Sequence, residues 1–278
     1  MIGRLEGKVA FVTGAARGQG RSHAVRLAGE GADIIAVDLC APVSTVAYPM
    51  ADEEDLAHMA EEIKALGRRV VARRADVRDL PALRVAVDEG VGELGRLDIV
   101  VANAGIASYG QAADLSEDTW DEMIDINLSG VWRTVRASIG HVRAGGSGGS
   151  VIITSSAAGM RGIPNAAHYA AAKHGLVGFM KVLALELGGE GIRVNTIHPT
   201  TVDTPMTDNP ATAELFLPGQ EDQSKEAYAR IAQRLNVLPV PWIEPSTVSD
   251  LVVFLASEEA RFITGAAIPV DAGMSVRW

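Results

Sequence analysis

The sequence predicts an α/β protein, a single Rossmann-type doubly wound domain with a seven-stranded parallel sheet and helices on both faces. Three observations carry that expectation. Short β-branched runs alternate with longer stretches of helical periodicity along the 278 residues. Most of the short runs are apolar throughout rather than alternately, as strands covered on both faces are. Parallel strands also need a crossover connection, which the helical stretches supply.

The strands read as Val9–Thr13, Asp33–Asp38, Arg69–Arg73, Asp98–Ala102, Val151–Thr154, Arg193–Ile197 and Ala267–Val270. Helical periodicity fills Arg21–Gly29, Asp55–Leu66, Leu80–Leu94, Thr119–Ile139 and His168–Leu187. No linker or break in composition divides the chain, so one domain spans 1–278. Residues 39–54 form an insertion after the second strand, far longer than the roughly two to six residues a βα connection needs. Its acidic end, Asp52-Glu53-Glu54-Asp55, suits a helix N-terminus. Residues 200–245 are Pro-punctuated and apolar in patches, and read as a lid over a substrate pocket. Ala144–Ser150 reads as a surface turn; no helix follows it directly, which argues against phosphate binding there.

Composition narrows the partners. The 25 Lys and Arg against 35 Asp and Glu leave a net charge of −10, which repels phosphate polymers. Trp120, Trp132, Trp242 and Trp278 are too scattered for a base-stacking platform, so no nucleic-acid partner is expected. The first ten residues lack the apolar core of a signal peptide, and no apolar run approaches the ~20 residues that cross a bilayer. Cys40, the single cysteine, cannot form an intrachain disulfide, which fits a reducing compartment. A soluble cytoplasmic protein without a membrane partner is expected. The histidines, His23, His58, His141, His168, His174 and His198, show no zinc spacing, and Cys40 has no visible activating partner, so neither a metal nor a thiol nucleophile is expected.

The first strand runs into Thr13-Gly14-Ala15-Ala16-Arg17-Gly18-Gln19-Gly20 and then a helix. Gly14 permits the tight exit from the strand, Gly18 lets backbone N–H groups approach a pyrophosphate, and Gly20 lets the helix pack on the sheet. The helix N-terminus adds partial positive charge. Asp38 closes the second strand, where a carboxylate accepts from ribose hydroxyls and repels a 2′-phosphate. That favours NAD over NADP. Arg17 pulls the other way unless it lies along the pyrophosphate or in solvent. Asp76, after the third strand, either touches adenine or caps the following turn. The fourth strand ends in Asn103-Ala104-Gly105, a second wall of the crevice expected at the carboxyl ends of the strands.

Tyr169 and Lys173 stand four apart on a predicted helix and so share one face. A nearby ammonium favours phenolate, drawing the tyrosine pKa down from about 10, and such a tyrosine can take the proton of an alcohol as hydride leaves. Ser156 lies just past the fifth strand, at the same sheet edge. Asn127, a poor helix former, interrupts a helical stretch and reads either as functional or as a local kink.

In order, the TGxxxGxG, NAG and YxxxK motifs and the Asn-Ser-Tyr-Lys set resemble the short-chain dehydrogenase/reductase family from Lys8 to Gly273. The resemblance implies Tyr169 as acid/base, Ser156 on the substrate oxygen, and Lys173 on the nicotinamide ribose while lowering the tyrosine pKa. It also implies that Asn127 holds a relay water. Leu39, Val77 and Met206 join the implied cofactor contacts, and Pro199-Thr200-Thr201-Val202-Asp203-Thr204 matches the stretch whose Val202 backbone and Thr204 hydroxyl hold the carboxamide. Thr200 stands where the family usually has glycine.

A narrower resemblance, carried by GAARGQGRSHAVRLAGEGADIIAVDLC, the insertion and PTTVDTPM, is to the carveol-dehydrogenase-like, mycofactocin-coupled subfamily. It implies oxidation of an apolar secondary alcohol such as carveol, NAD that does not readily exchange, and a redox partner that re-oxidises bound NADH. The insertion emerges beside the expected adenosine ribose and is placed either to cover it or to lie in solvent. Tyr109, Met160, Arg161, Asn165, Met206, Leu215, Phe216, Leu217 and Trp242 are the candidate pocket residues for a compact apolar alcohol or ketone. The family resemblance implies a homotetramer, with Met274–Trp278 either reaching a neighbour or frayed. The alternatives are an NADPH-dependent carbonyl or acyl-carrier ketone reductase, and a nucleotide-binding scaffold without catalysis.

Overall fold

The computed structural model describes residues 3–277; of the expected C-terminal contact, Trp278 lies outside the described residues. The strands are β1 (Val9–Thr13), β2 (Asp33–Asp38), β3 (Val70–Arg74), β4 (Ile99–Ala102), β5 (Gly149–Thr154), β6 (Ile192–Pro199) and β7 (Ala267–Val270). They form one sheet in the order β3-β2-β1-β4-β5-β6-β7, and each neighbouring pair is parallel. The helices are α1 (Gly18–Gly29), α2 (Glu53–Ala65), α3 (Leu80–Leu94), α4 (Glu117–Ile124), α5 (Gly130–Ala144), α6 (Ala167–Leu187), α7 (Pro210–Phe216), α8 (Lys225–Gln233) and α9 (Pro245–Ala256). The chain order reverses between β1 and β4, so the crevice at their carboxyl ends is where a doubly wound sheet binds ligands.

The unbroken apolarity of the strands follows from this layering. Along β1, Phe11 packs with Leu83 of α3, Val135 of α5 and Leu176 of α6. Its neighbours Ala10 and Val12 point the other way, into Leu27 of α1, Met59 of α2 and Val252 of α9. Both faces are core, and a polar residue on either would be buried.

The acidic cluster is the start of α2: Asp52 accepts from the Asp55 backbone at 2.9 Å while Asp55 accepts from the Asp52 backbone at 3.2 Å, a reciprocal capping box. The stretch read as one helix over Thr119–Ile139 is α4 and α5 running on through a π-turn at Asp125–Ser129, with Asn127 inside it. The lid contains α7 and α8, which have their own small core of Leu217, Ala227, Tyr228 and Ala232. Beyond the lid, α9 was not anticipated, although Pro245 at its first turn and the spacing of Val248, Val252 and Leu255 mark it.

The packing of α1 on α9 includes a buried imidazole. His23 is inaccessible, its Nδ1 lies 2.8 Å from the Ser249 hydroxyl, and its Nε2 has no partner. Burial pushes its pKa down to about 3, against about 6.5 in an unfolded chain. The folded state therefore holds the neutral form. That contribution is complete above about pH 6.5 and is lost as pH falls towards the folded value. Between about pH 7 and pH 5 this group is expected to remove about 2 kcal/mol of stability. His23→Gln should shrink that loss in urea unfolding at the two pH values; an identical pH dependence in the variant would contradict the assignment.

Candidate active site

β1 delivers Thr13 into the glycine loop, and β4 braces it. The Thr13 hydroxyl accepts from the backbone N–H groups of Asn103 and Ala104, both at 3.1 Å, and Asn103 Nδ2 donates to the Thr13 carbonyl at 3.1 Å. Gly14 has φ +66°, and a Cβ there would lie 2.8 Å from Ala104 Cα. A Cβ at Gly20 would lie 1.9 Å from the Gly14 carbonyl oxygen, so only glycine lets α1 start this close to the loop. Arg17 occupies the N-cap position of α1 without a capping side-chain bond. The N–H groups of the first turn thus open on the crevice with Gly18, as an anion site requires. Gln19 presents a buried Oε1 with no partner. These residues fit a dinucleotide.

On the adenosine side, Asp38 Oδ2 accepts from Ala16 N at 3.0 Å and Oδ1 from Cys40 N at 3.2 Å, which fixes its carboxylate at the crevice wall with Leu39 and Val77. Asp76 also lines the crevice but is held by Arg78, at 2.8 Å from the backbone and 2.7 Å from the guanidinium. Burial raises its pKa, and the Arg78 bonds outweigh that and hold it low. Asp76 thus caps the turn that follows it, and Asp79 caps α3. Burial, with nearby carboxylates, pushes the Cys40 thiol up to about 12, which leaves it unreactive.

The insertion lies over this crevice. Val43, Tyr48 and Ala51 are buried, and with Met50 they line it. Tyr48 Oη accepts from Ala107 N at 3.2 Å, and the Arg17 guanidinium sits 5.9 Å from the Tyr48 ring centroid and 3.8 Å from Met50 Sδ. Arg17 therefore lines the crevice beside the glycine loop with its guanidinium against the insertion. Glu122 of α4 anchors its middle, taking the Thr45 hydroxyl at 2.6 Å and Arg78 at 2.8 Å.

Tyr169 lies where the crevice meets a second cavity, Lys173 lines the first and Ser156 the second. Lys173 is 3% exposed and its Nζ donates to the Thr154 carbonyl at 2.9 Å, which uses one of three hydrogens. Burial pushes it down to about 8. Nζ stands 5.5 Å from the Tyr169 ring centroid. The Tyr169 phenol is nonetheless raised, because burial outweighs the lowering effect of the Ser156 hydroxyl; the downward shift inferred from the Tyr–Lys spacing is not the net result in this geometry. Ser156 Oγ accepts from Ala158 N at 3.1 Å, so its own hydrogen remains to donate, and the buried His198 holds the Ser156 carbonyl at 2.8 Å. Asn127 is fully buried and lines neither cavity. Its Oδ1 accepts from Ile106 N and its Nδ2 donates to Ile106 O, both at 2.8 Å, with Met123 Sδ taking the other hydrogen. The Asn127 side chain thus ties the π-turn to the segment after β4.

Gly105 lies against Asn127 and Lys173 within the crevice, and Ala104 beside it. Past β6, Thr204 and Met206 line both cavities, whereas Pro199 and Val202 line only the second. Thr204 Oγ1 donates to the Val202 carbonyl at 3.4 Å. Thr200 takes the place of a glycine without a positive φ, and its hydroxyl bonds Asn236 at 3.0 Å, tying the exit of β6 to the end of the lid. Of the candidate pocket residues, Tyr109, Met206, Leu215 and Phe216 line the second cavity. Met160 is exposed, Arg161 bonds the Met274 carbonyl, the Asn165 carbonyl accepts from Gly110 N, and Leu217 belongs to the lid core. Trp242 stands behind Tyr228. Tyr48, Thr212 and Tyr228 were not anticipated; the sole tyrosine of the insertion and the apolar stripe of α8 were the available signals.

A family model described as Enoyl-(Acyl carrier protein) reductase matches residues 14–275. The chain is 55% identical over the whole of both chains to a Mycolicibacterium smegmatis protein described as a short-chain type dehydrogenase/reductase. It is 50% identical to (−)-trans-carveol dehydrogenase of Rhodococcus erythropolis, over 99% of this chain and all of that one. The crystal structure of carveol dehydrogenase from Mycobacterium avium in complex with NAD superposes with a TM-score of 0.98 at 52% identity, covering 99% of this chain and 100% of that one. The chain belongs to the short-chain dehydrogenase/reductase family.

The Thr13 brace makes a direct prediction. Thr13→Val leaves two N–H groups without their acceptor and should cost about 1–3 kcal/mol in urea unfolding, while Thr13→Ser should stay near the parent. Equal stability of the valine and serine variants would show that the hydroxyl carries no weight there.

Proposed function

We propose that this short-chain dehydrogenase/reductase interconverts a secondary alcohol and its ketone with NAD, and the convergence of Ser156, Tyr169 and Lys173 where the two cavities meet carries that reading. When bound, NAD supplies a hydride acceptor for the carbinol carbon. Gly14, Gly18, Gln19 and Gly20 with the first turn of α1 would hold its pyrophosphate, and Asp38 its adenosine ribose. Asp38 also disfavours a 2′-phosphate.

Ser156 has a hydroxyl hydrogen free to hold the substrate oxygen. Tyr169 takes the carbinol proton during oxidation and returns it to the carbonyl oxygen during reduction. Its protonated form, which burial favours, is the one reduction needs; oxidation needs a cation to offset burial, and the Lys173 ammonium is the one the chain places beside the ring. Lys173 has hydrogens left for the nicotinamide ribose. A relay water on Asn127 would have to hang mainly from its backbone, since both amide hydrogens are engaged.

The named relatives support an apolar terpenoid alcohol such as carveol as the substrate class. The insertion, latched by Tyr48 and Glu122, is the feature that would retain NAD and call for a redox partner to re-oxidise it, as in mycofactocin-coupled enzymes. A homotetramer acting in the cytoplasm completes the reading; among the described residues no helix is long and apolar enough to cross a membrane.

Tyr169→Phe should lower turnover of a secondary alcohol about 10²–10⁴-fold while the protein still binds NAD. Unchanged turnover would overturn the role of Tyr169. Lys173→Met should move the pH profile of oxidation upward. Absorbance and mass of the nucleotide that copurifies should show NAD on the parent and less of it on Tyr48→Ala; equal retention would remove the role given to the insertion.

A further inference from the structure

The second cavity has a polar group that the hydride-transfer site does not use. Tyr228 of α8 is 4% exposed and lines this cavity, yet its hydroxyl is buried with no hydrogen-bond partner. The groups that act on it include Thr201, which is near enough to lower its pKa without closing a bond, and Tyr109; both line the same cavity. The ring is rigidly placed, between Phe216 at 5.1 Å and Trp242 at 5.8 Å between centroids. The helix behind it is latched by Lys225, which bonds Asp203 at 3.0 Å and Asp208 at 2.9 Å and lies 5.1 Å from the Trp242 ring centroid. An unpaired buried hydroxyl is costly and is relieved by any acceptor brought to it. Burial first, with Tyr109 and the two aspartates adding to it, keeps this phenol protonated, so it has a hydrogen to donate to an incoming acceptor such as a carbonyl oxygen.

The rest of the lining defines the ligand. Ile163, Met206, Leu215 and Phe216 supply an apolar body site, and no Lys, Arg, His, Asp or Glu lines the cavity among the described residues. A carboxylate or phosphate would meet no cation there, so the ligand is neutral.

Resting on the alcohol–ketone chemistry proposed above but departing from carveol, whose only oxygen is the carbinol, we propose that Tyr228 is a specificity-determining residue that binds a second, neutral oxygen of the substrate, making the preferred substrate an alicyclic alcohol with a carbonyl or similar acceptor remote from the reacting carbinol. The carbinol lies at Ser156 and Tyr169, and the remote oxygen accepts from Tyr228 Oη. A substrate with only the carbinol leaves that hydroxyl unpaired, so the discrimination should be clear.

The test compares 4-hydroxycyclohexanone with 4-methylcyclohexanol in NAD-driven oxidation by the parent protein and by Tyr228→Phe, which keeps the ring. The ratio of kcat/KM for the hydroxyketone over the methyl alcohol should fall about tenfold in the variant, chiefly through KM. Calorimetric binding of cyclohexane-1,4-dione to the NAD-loaded protein should weaken about tenfold in the variant relative to 4-methylcyclohexanone. Should oxidation proceed with an unchanged ratio, the Tyr228 subsite is wrong and the catalytic reading stands. Should neither alcohol be oxidised while dione binding still depends on Tyr228, the subsite stands and the catalytic reading falls. Dione binding independent of Tyr228 overturns the proposal.

Discussion

The site depends on the hydroxyl of Thr13 gripping the end of β4. The reversal of chain order between β1 and β4 opens a cleft at their carboxyl ends, and a cleft between two strand exits has no ladder hydrogen bonds to hold its width. Thr13 supplies them from a side chain, taking two successive N–H groups of Asn103 and Ala104, and Asn103 returns one to the Thr13 carbonyl. The glycine loop is then pressed against that wall, which is why Gly14 and Gly20 have no room for a Cβ. The same wall continues through Gly105 to Ile106, where Asn127 grips it from behind. One braced edge thus sets the positions of the nucleotide loop, of the π-turn and, through Gly105, of Lys173.

Electrostatics in this edge are governed by burial. Lys173 is pushed down and Tyr169 up, each toward its neutral form. The phenol is therefore held where it does not ionise without help, and the cation beside it changes that balance more than it could in water. Ser156 is fixed from both sides, its Oγ by Ala158 N and its carbonyl by His198, so the hydroxyl hydrogen is the one free element of the residue. The cavity is prepared to move a single proton at a single place.

How much of this the sequence disclosed depends on the range of the forces involved. The strand pattern, the glycine loop and the Tyr169–Lys173 pair are local: each rests on spacing within one element, and each is legible. The acidic run at Asp52 is likewise local, because a capping box lies within four residues. Arg17 was not legible, since its direction is set by Tyr48 and Met50, more than thirty residues away and in an irregular segment. Asp76 had two readings, and the turn cap is the one the geometry shows: its carboxylate accepts from Arg78 N at 2.8 Å and is tied by the Arg78 guanidinium, while Asp79 caps α3. Pro199 and Val202, grouped with the cofactor residues by motif, line the second cavity, which meets the crevice at Tyr169. The sign of the Tyr169 shift also escaped a spacing argument, because spacing carries the ammonium and not the depth of burial.

Two phenols from outside the sheet cover the two cavities, and their hydroxyls differ in a way that separates structure from function. Tyr48 buries its hydroxyl against Ala107 N, a completed bond, and so acts as a latch for the insertion. Tyr228 buries its hydroxyl near Thr201 without a completed hydrogen bond, although Phe216 and Trp242 hold its ring as firmly as a core residue. A protein has little reason to fix a polar group this well and leave it unpaired unless an acceptor arrives with the ligand. Ala107 and Tyr109 belong to the wall of the second cavity, so the latch of the first cover rests on the boundary of the second. Closing the nucleotide crevice and shaping the substrate cavity are therefore done by one short segment, Gly105 to Tyr109, clamped by Asn127 below and Tyr48 above.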